Sequence, residues 1–158
     1  MRVAAALVLA VALLAGCAGV RSLVPGQSTE ADVRSTLGAP KDTRTEPNGD
    51  VVWEYPTGPE GFFTYAVRIG SDKRVKEVTQ LVSEEQLAKI VVGKTTQAEV
   101  RQLLGRPARQ ERLQIGESWY WRFIRNGIST GYLIVAFNSA SIATSKIAIM
   151  DAYPGAQH

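Results

Sequence analysis

The chain of 158 residues carries one cysteine and one histidine, and the histidine, His158, is its last residue. A Cys/His metal centre needs several such ligands, and a Cys–His nucleophile pair needs both partners inside the fold. Neither chemistry is expected, and a single cysteine cannot close an internal disulfide. Charge of one sign is also scarce: 18 Lys and Arg against 15 Asp and Glu leave +3. No run of Lys and Arg forms a stripe, so nucleic acid is not an expected partner. Catalytic constellations are missing too. Glu84-Glu85 reads as a helix start, Ser129-Thr130 has no base nearby in sequence, and Gly58-x-x-Gly61 is too short for a phosphate loop. Neither an enzyme nor a cofactor is expected. What remains is ordinary globular composition, 45% hydrophobic and 21% charged, at a length that suits one medium domain or two small ones.

The first segment reads MRVAAALVLAVALLAGC. Arg2 supplies a positive start, and Val3 to Ala15 supply thirteen uncharged residues. That is the length of a signal-peptide core and too short to span a bilayer as a helix, which takes about 17–25. Leu14-Ala15-Gly16-Cys17 resembles the lipobox of bacterial lipoproteins. The resemblance implies cleavage before Cys17, a signal peptide over residues 1–16 and fatty acylation of Cys17; two or more chains anchor a protein stably. Ala18, where an Asp would imply inner-membrane retention, points by the same resemblance to the outer membrane. The alternative is an ordinary secretory leader followed by a chance cysteine.

The sequence then says nearly the same thing twice. Residues 23–40 align with 90–107 at an offset of 67, with nine of eighteen positions identical. Such self-similarity marks an internal duplication. Each copy reads as a short helix. Thr29-x-x-Asp32 and Thr96-x-x-Glu99 form capping boxes. Val33 and Leu37, and Val100 and Leu104, give an i, i+4 apolar stripe. Gly26 and Gly93 end what precedes, while Gly38 and Gly105 sit where a helix end wants positive φ, with Pro40 and Pro107 two residues on. Upstream, Ser83–Val91 predicts a further short helix. Its counterpart, near Val20–Val24, falls almost at Cys17 and is expected to be frayed.

Downstream, both copies turn to strand pattern. Val51–Tyr55 matches Ser118–Phe123, a one-residue insertion bringing Trp53 onto Trp121. Phe63–Ile69 alternates with a period of two, and its partner is Tyr132–Phe137. A third strand closes each unit, near Arg74–Val82 and Ile142–Met150. The expected fold is α+β: two tandem α-α-β-β-β units, 17–82 and 83–152, each a three-stranded antiparallel sheet covered by short helices, with a loose tail at 153–158. One such unit buries only a marginal core, so two together do better.

The string Gly26-x-Ser28-x-x-x-Asp32-Val33-x-x-x-Leu37-Gly38-x-Pro40, followed by Trp53-x-Tyr55, resembles the BamE family, also called SmpA/OmlA. The second copy repeats it at Gly93, Thr95, Glu99, Val100, Leu104, Gly105, Pro107 and Trp121, with Phe123 in the Tyr place. The resemblance implies an outer-membrane lipoprotein facing the periplasm, an accessory of the machinery that inserts β-barrel proteins. The family's own unit is single, so the doubling is a departure. In architecture alone, the tandem also resembles secreted β-lactamase inhibitor proteins, whose concave sheets grip an enzyme. The expected function is a non-catalytic interaction scaffold in envelope or β-barrel assembly, partnered by the membrane and an envelope protein. The alternative is an anchored inhibitor-like or ligand-binding module.

Four residues are candidates for partner contact. Phe62 points outward if Phe63 opens the inward face, although a packed Phe fits as well. Arg34 and Arg101 hold the same helix position and are expected to face outward, on a solvated face or against a partner. Tyr120 lies on the strand face opposite Trp119 and Trp121, which read either as core or as a ligand platform.

Overall fold

The structure is a computed structural model that describes residues 19–57 and 61–151. The leader, Cys17, Ala18, the stretch 58–60 and the tail from 152 lie outside the described residues, so the readings placed on them are not addressed by it. The first half begins with a 3-10 turn at Gly19–Ser22, continues in α1 (Glu30–Leu37), then runs through β1 (Asp42–Thr45), β2 (Val51–Thr57), β3 (Phe63–Ile69) and β4 (Val75–Gln80). The second half has α2 (Glu84–Ala88), α3 (Gln97–Leu104), β5 (Arg109–Leu113), β6 (Gly116–Arg125), β7 (Ser129–Asn138) and β8 (Ala143–Met150). The strands form two antiparallel meanders, β1-β2-β3-β4 and β5-β6-β7-β8.

Each sheet therefore has four strands, where three were expected. The extra ones, β1 and β5, follow directly on Pro40 and Pro107. Their sequences, DTRT and RQERL, carry almost no apolar residues because they are edge strands over little core. The first helix of the first half is reduced to the 3-10 turn.

The helix punctuation is realised as written. Thr29 and Thr96 accept from the backbone N–H groups of Asp32 and Glu99, whose carboxylates accept in return from the Thr29 and Thr96 backbones at 2.7 Å. Gly38 and Gly105 close the helices at φ +77° and +75°. Lys146 on β8 sends its ammonium to the carbonyls of Leu87, Ala88 and Ile90, closing the short α2.

Strand pairing also fixes how the halves correspond. Lys41 N–H donates to Glu54 O in one half, and Ala108 N–H to Tyr120 O in the other. Cross-strand partners are Asp42 with Glu54 and Arg109 with Tyr120. Trp53 thus corresponds to Trp119, not Trp121, and Tyr55 to Trp121. The side chains agree: the Tyr55 hydroxyl donates to Gly38 O at 3.2 Å, and Trp121 Nε1 to Gly105 O at 3.1 Å. The tightened β5–β6 turn removes a residue, where an insertion was expected.

Each half has its own core between helix and sheet. Val33, Trp53, Tyr55, Val67 and Ile69 form the first; Val100, Leu104, Trp121, Phe123 and Leu133 belong to the second. Full burial of side chains of this size contributes about 1.5–3 kcal/mol each. A third, small cluster of Val52, Ala66 and Leu81 lies on the opposite face of the first sheet.

Candidate functional site

A strand buried on one face alternates in exposure. β6 does so through Trp119–Phe123, whereas β2 has four consecutive buried residues, Val52 to Tyr55. The first sheet is therefore covered on both faces, the second on one. The outer cover of the first sheet is the second half, chiefly α3 and the turn after it.

Glu54 centres that contact. It stands in the middle of an apolar strand and is only 2% exposed. An unpaired buried carboxylate is costly, so its partners matter. Arg44 on the neighbouring β1 pairs with it, Arg101 Nη1 on α3 donates at 2.6 Å, and the backbone N–H of Arg106 donates at 3.1 Å. Arg101 also pairs with Asp42, and Arg44 Nη2 reaches Gln102 O at 3.4 Å. Burial is the largest influence on the Arg44 guanidinium and lowers its pKa, against the attraction of Glu54. Gly105 lies so close to the sheet that a Cβ there would stand 2.9 Å from Leu81 Cδ1. Beyond this clasp the seam opens into a cleft of about 460 Å³. Its floor is Val52 and Ala66, and its walls carry Arg68 and Glu77 on one side, Lys89 and Glu99 on the other.

Among the described residues, the outer face of the second sheet is covered at one edge, where Phe62 of the first half lies against Arg122, and is otherwise open. Across it run two cross-strand rows, Arg109–Tyr120–Ile134–Ile147 and Arg122–Tyr132–Ile149. Ile147 and Ile149 are 50% and 46% exposed. One flank of the face is aliphatic. The other is basic and aromatic, with the Arg109 guanidinium 4.0 Å above the Tyr120 ring and Arg122 4.4 Å from Tyr132. The Tyr120 hydroxyl donates to Glu111 Oε2 at 2.6 Å, and this bond is the main reason its pKa is raised.

The candidate residues fall in different places. Tyr120 is on the open face, as expected from strand alternation. Trp119 and Trp121 are core, their rings edge to face at 6.0 Å. Arg34 is on the surface, 4.3 Å over Trp53 and 3.7 Å from Glu30. Arg101, expected to face outward, instead crosses the seam to Glu54, because the outside of one half is the inside of the pair. Phe62 is half-buried, with Arg122 of the second half 4.9 Å from its ring. Glu84 starts α2 and is held by Arg125 at 2.6 Å, which lowers its pKa. Among the described residues, no group of three or more His, Cys, Asp or Glu is arranged to hold a metal ion, and no helix is long and apolar enough to cross a membrane. Sequence reasoning passed over Glu54. Its signal was a lone acid inside Val-Val-Trp-Glu-Tyr, where alternation alone would place it in solvent.

Residues 80–146 match the family model described as the outer membrane protein assembly factor BamE domain. The matched stretch runs from the end of β4 into β8 and so takes in α2, α3 and the open-faced sheet. No curated protein and no solved structure matches the chain.

Proposed function

We propose that the chain is a non-catalytic interaction module of the outer-membrane assembly apparatus, fatty-acylated at Cys17 and held on the periplasmic face. The observation that carries this reading is the coincidence of the BamE-domain match with the half whose sheet is open. In this reading residues 17–82 are a second unit of the same kind, with residues 1–16 as leader. The first unit spends its outer sheet face on holding its neighbour, which leaves the second unit to meet partners. Tyr120 and the isoleucines beside it supply apolar contact, while Phe62 steadies Arg122 at the edge of the same face. Large rigid aromatics set among arginines are the residue types on which binding energy concentrates.

The test is crosslinking in intact cells from a photoreactive residue at Ile147, comparing the native chain with Cys17→Ser. Recovery of β-barrel assembly components from the native chain, and their loss with Cys17→Ser, is the expected result. Recovery of no assembly component from either chain would sink the proposal. The two tyrosines on the open face support a second reading, an anchored module that grips a soluble protein. In that case the same soluble partner is recovered with and without the anchor.

A further inference from the structure

The chain contains a worked example of how its own open face is covered. In the first half, α3 of the following unit lies on the outer face of the sheet, with Gly105 against Leu81, which is 4% exposed. Strand registers carry Leu81 onto Ile149, and the helix repeat carries Gly105 onto Gly38. Both members of that second pair lie open: Ile149 is 46% exposed, and a Cβ on Gly38 would meet nothing within 4 Å.

The sizes at the two places are exchanged in a complementary way. Where the first sheet has Ala66 and Thr79, the second has Ile134 and Ile147. Where α3 has Gln102 and Leu103, α1 has Ser35 and Thr36. The sheet has grown where the helix has shrunk, which keeps the total volume of such a contact roughly constant, the condition under which packing is tolerated best. Charge is rearranged rather than lost. Arg101 keeps its counterpart in Arg34. The acid it meets has moved from β2 to the neighbouring edge strand, from Glu54 to Glu111, the counterpart of Arg44. With no sheet to reach, Arg34 folds onto its own Trp53 at 4.3 Å. Asp42 is replaced by Arg109, already paired with Glu111 at 2.9 Å, so the contact is weaker than the internal one.

We propose that a second copy of this chain docks head to tail, laying α1 across the outer face of the second sheet with Gly38 over Ile149. Such a contact joins two different surfaces, so it does not close into a dimer but extends copy by copy. It is small, one short helix on one sheet face, and so forms with concentration rather than permanently. It occupies the face that the assembly reading above gives to an envelope partner, and the test below separates the two because it contains no other protein.

The test is sedimentation equilibrium of the full chain carrying Cys17→Ser, so that no lipid is attached, over a wide concentration series. Average mass is expected to rise continuously with concentration. Ile149→Glu removes one surface and Arg34→Glu the other, each at an exposed position, and each variant alone is expected to stay a single chain. Mixed in equal amounts, the two variants keep one intact surface each and are expected to form a species of two chains and no larger. A chain that stays single at every concentration overturns the proposal. So does association that neither substitution lowers, or a mixture of the two variants that stays single.

Discussion

Glu54 and Tyr120 hold one place in two sheets, and their surroundings are opposite. Glu54 is sealed under α3 with two guanidiniums and a backbone N–H around it, while Tyr120 lies half-covered on an open face beside Arg109. The two sheets share strand order, cap chemistry and inward-facing core, and differ in what the outer face is asked to do. The two halves are similar scaffolds; a few outward positions make one an internal joint and leave the other open.

Substitutions can break this contrast, and the largest effect is expected at the acid. Glu54→Ala takes the shared acid from Arg44 and Arg101, which are 21% and 24% exposed and keep Glu46 and Asp42, at a cost of about 2–3 kcal/mol. Tyr120→Ala costs about 1 kcal/mol, the hydrogen bond to Glu111 being the main loss. Urea melts of both variants measure the gap, and equal losses would mean that the seam is not sealed in solution. Next come the apolar counterparts: Leu81→Ala should lose about 2–3 kcal/mol, whereas Ile149→Ala stays within about 0.5 kcal/mol.

The cap glycines give a finer comparison. Gly38→Ala and Gly105→Ala both force a side chain into the positive-φ extended region that is essentially reserved for glycine, costing about 1–3 kcal/mol. Only Gly105→Ala also drives a methyl at Leu81, adding roughly 1–3 kcal/mol. The smallest effect tests where the halves should agree. Asp32 and Glu99 are held below their ordinary pKa values by the hydrogen bonds they accept from Thr29 and Thr96. A carboxylate whose pKa folding lowers stabilises fully above its ordinary range, and that contribution is lost as pH falls through the folded value. Asp32→Asn and Glu99→Gln should therefore each lower stability by similar small amounts at neutral pH and change it least in acid, which flattens the acid side of the stability–pH curve.

The sequence was legible where local chemistry acts alone. Thr29, Thr96, Gly38 and Gly105 carry their own instructions within one turn of helix, and Phe63–Ile69 alternates because one face meets a core. It was opaque where a residue answers to something distant. Asp42–Thr45 and Arg109–Leu113 are strands because a neighbour offers them hydrogen bonds, not because their side chains ask for it. Trp53 was matched to the wrong tryptophan because Trp119-x-Trp121 offers two equally good partners and only the ladder to Arg109 decides. Arg101 faces outward from its own helix, as its position says. That this direction leads to Glu54 is written in neither segment by itself.

The clasp around Glu54 also sets how the molecule comes apart. Two separate cores would ordinarily make two melting units, each opening in its own time. Here the loss of α3 uncovers Val52, Ala66 and Leu81 and takes Arg101 from Glu54, so opening of the second half undermines the first. The first half is therefore expected to melt no later than the second, and any early transition carries the denaturant slope of one half rather than of the whole chain. The dependence runs one way: the second half loses only a cover and keeps its own core. A chain cut between Leu81 and Val82, which leaves Val82 with the second core, would accordingly give a C-terminal fragment that holds its shape and an N-terminal one that does not.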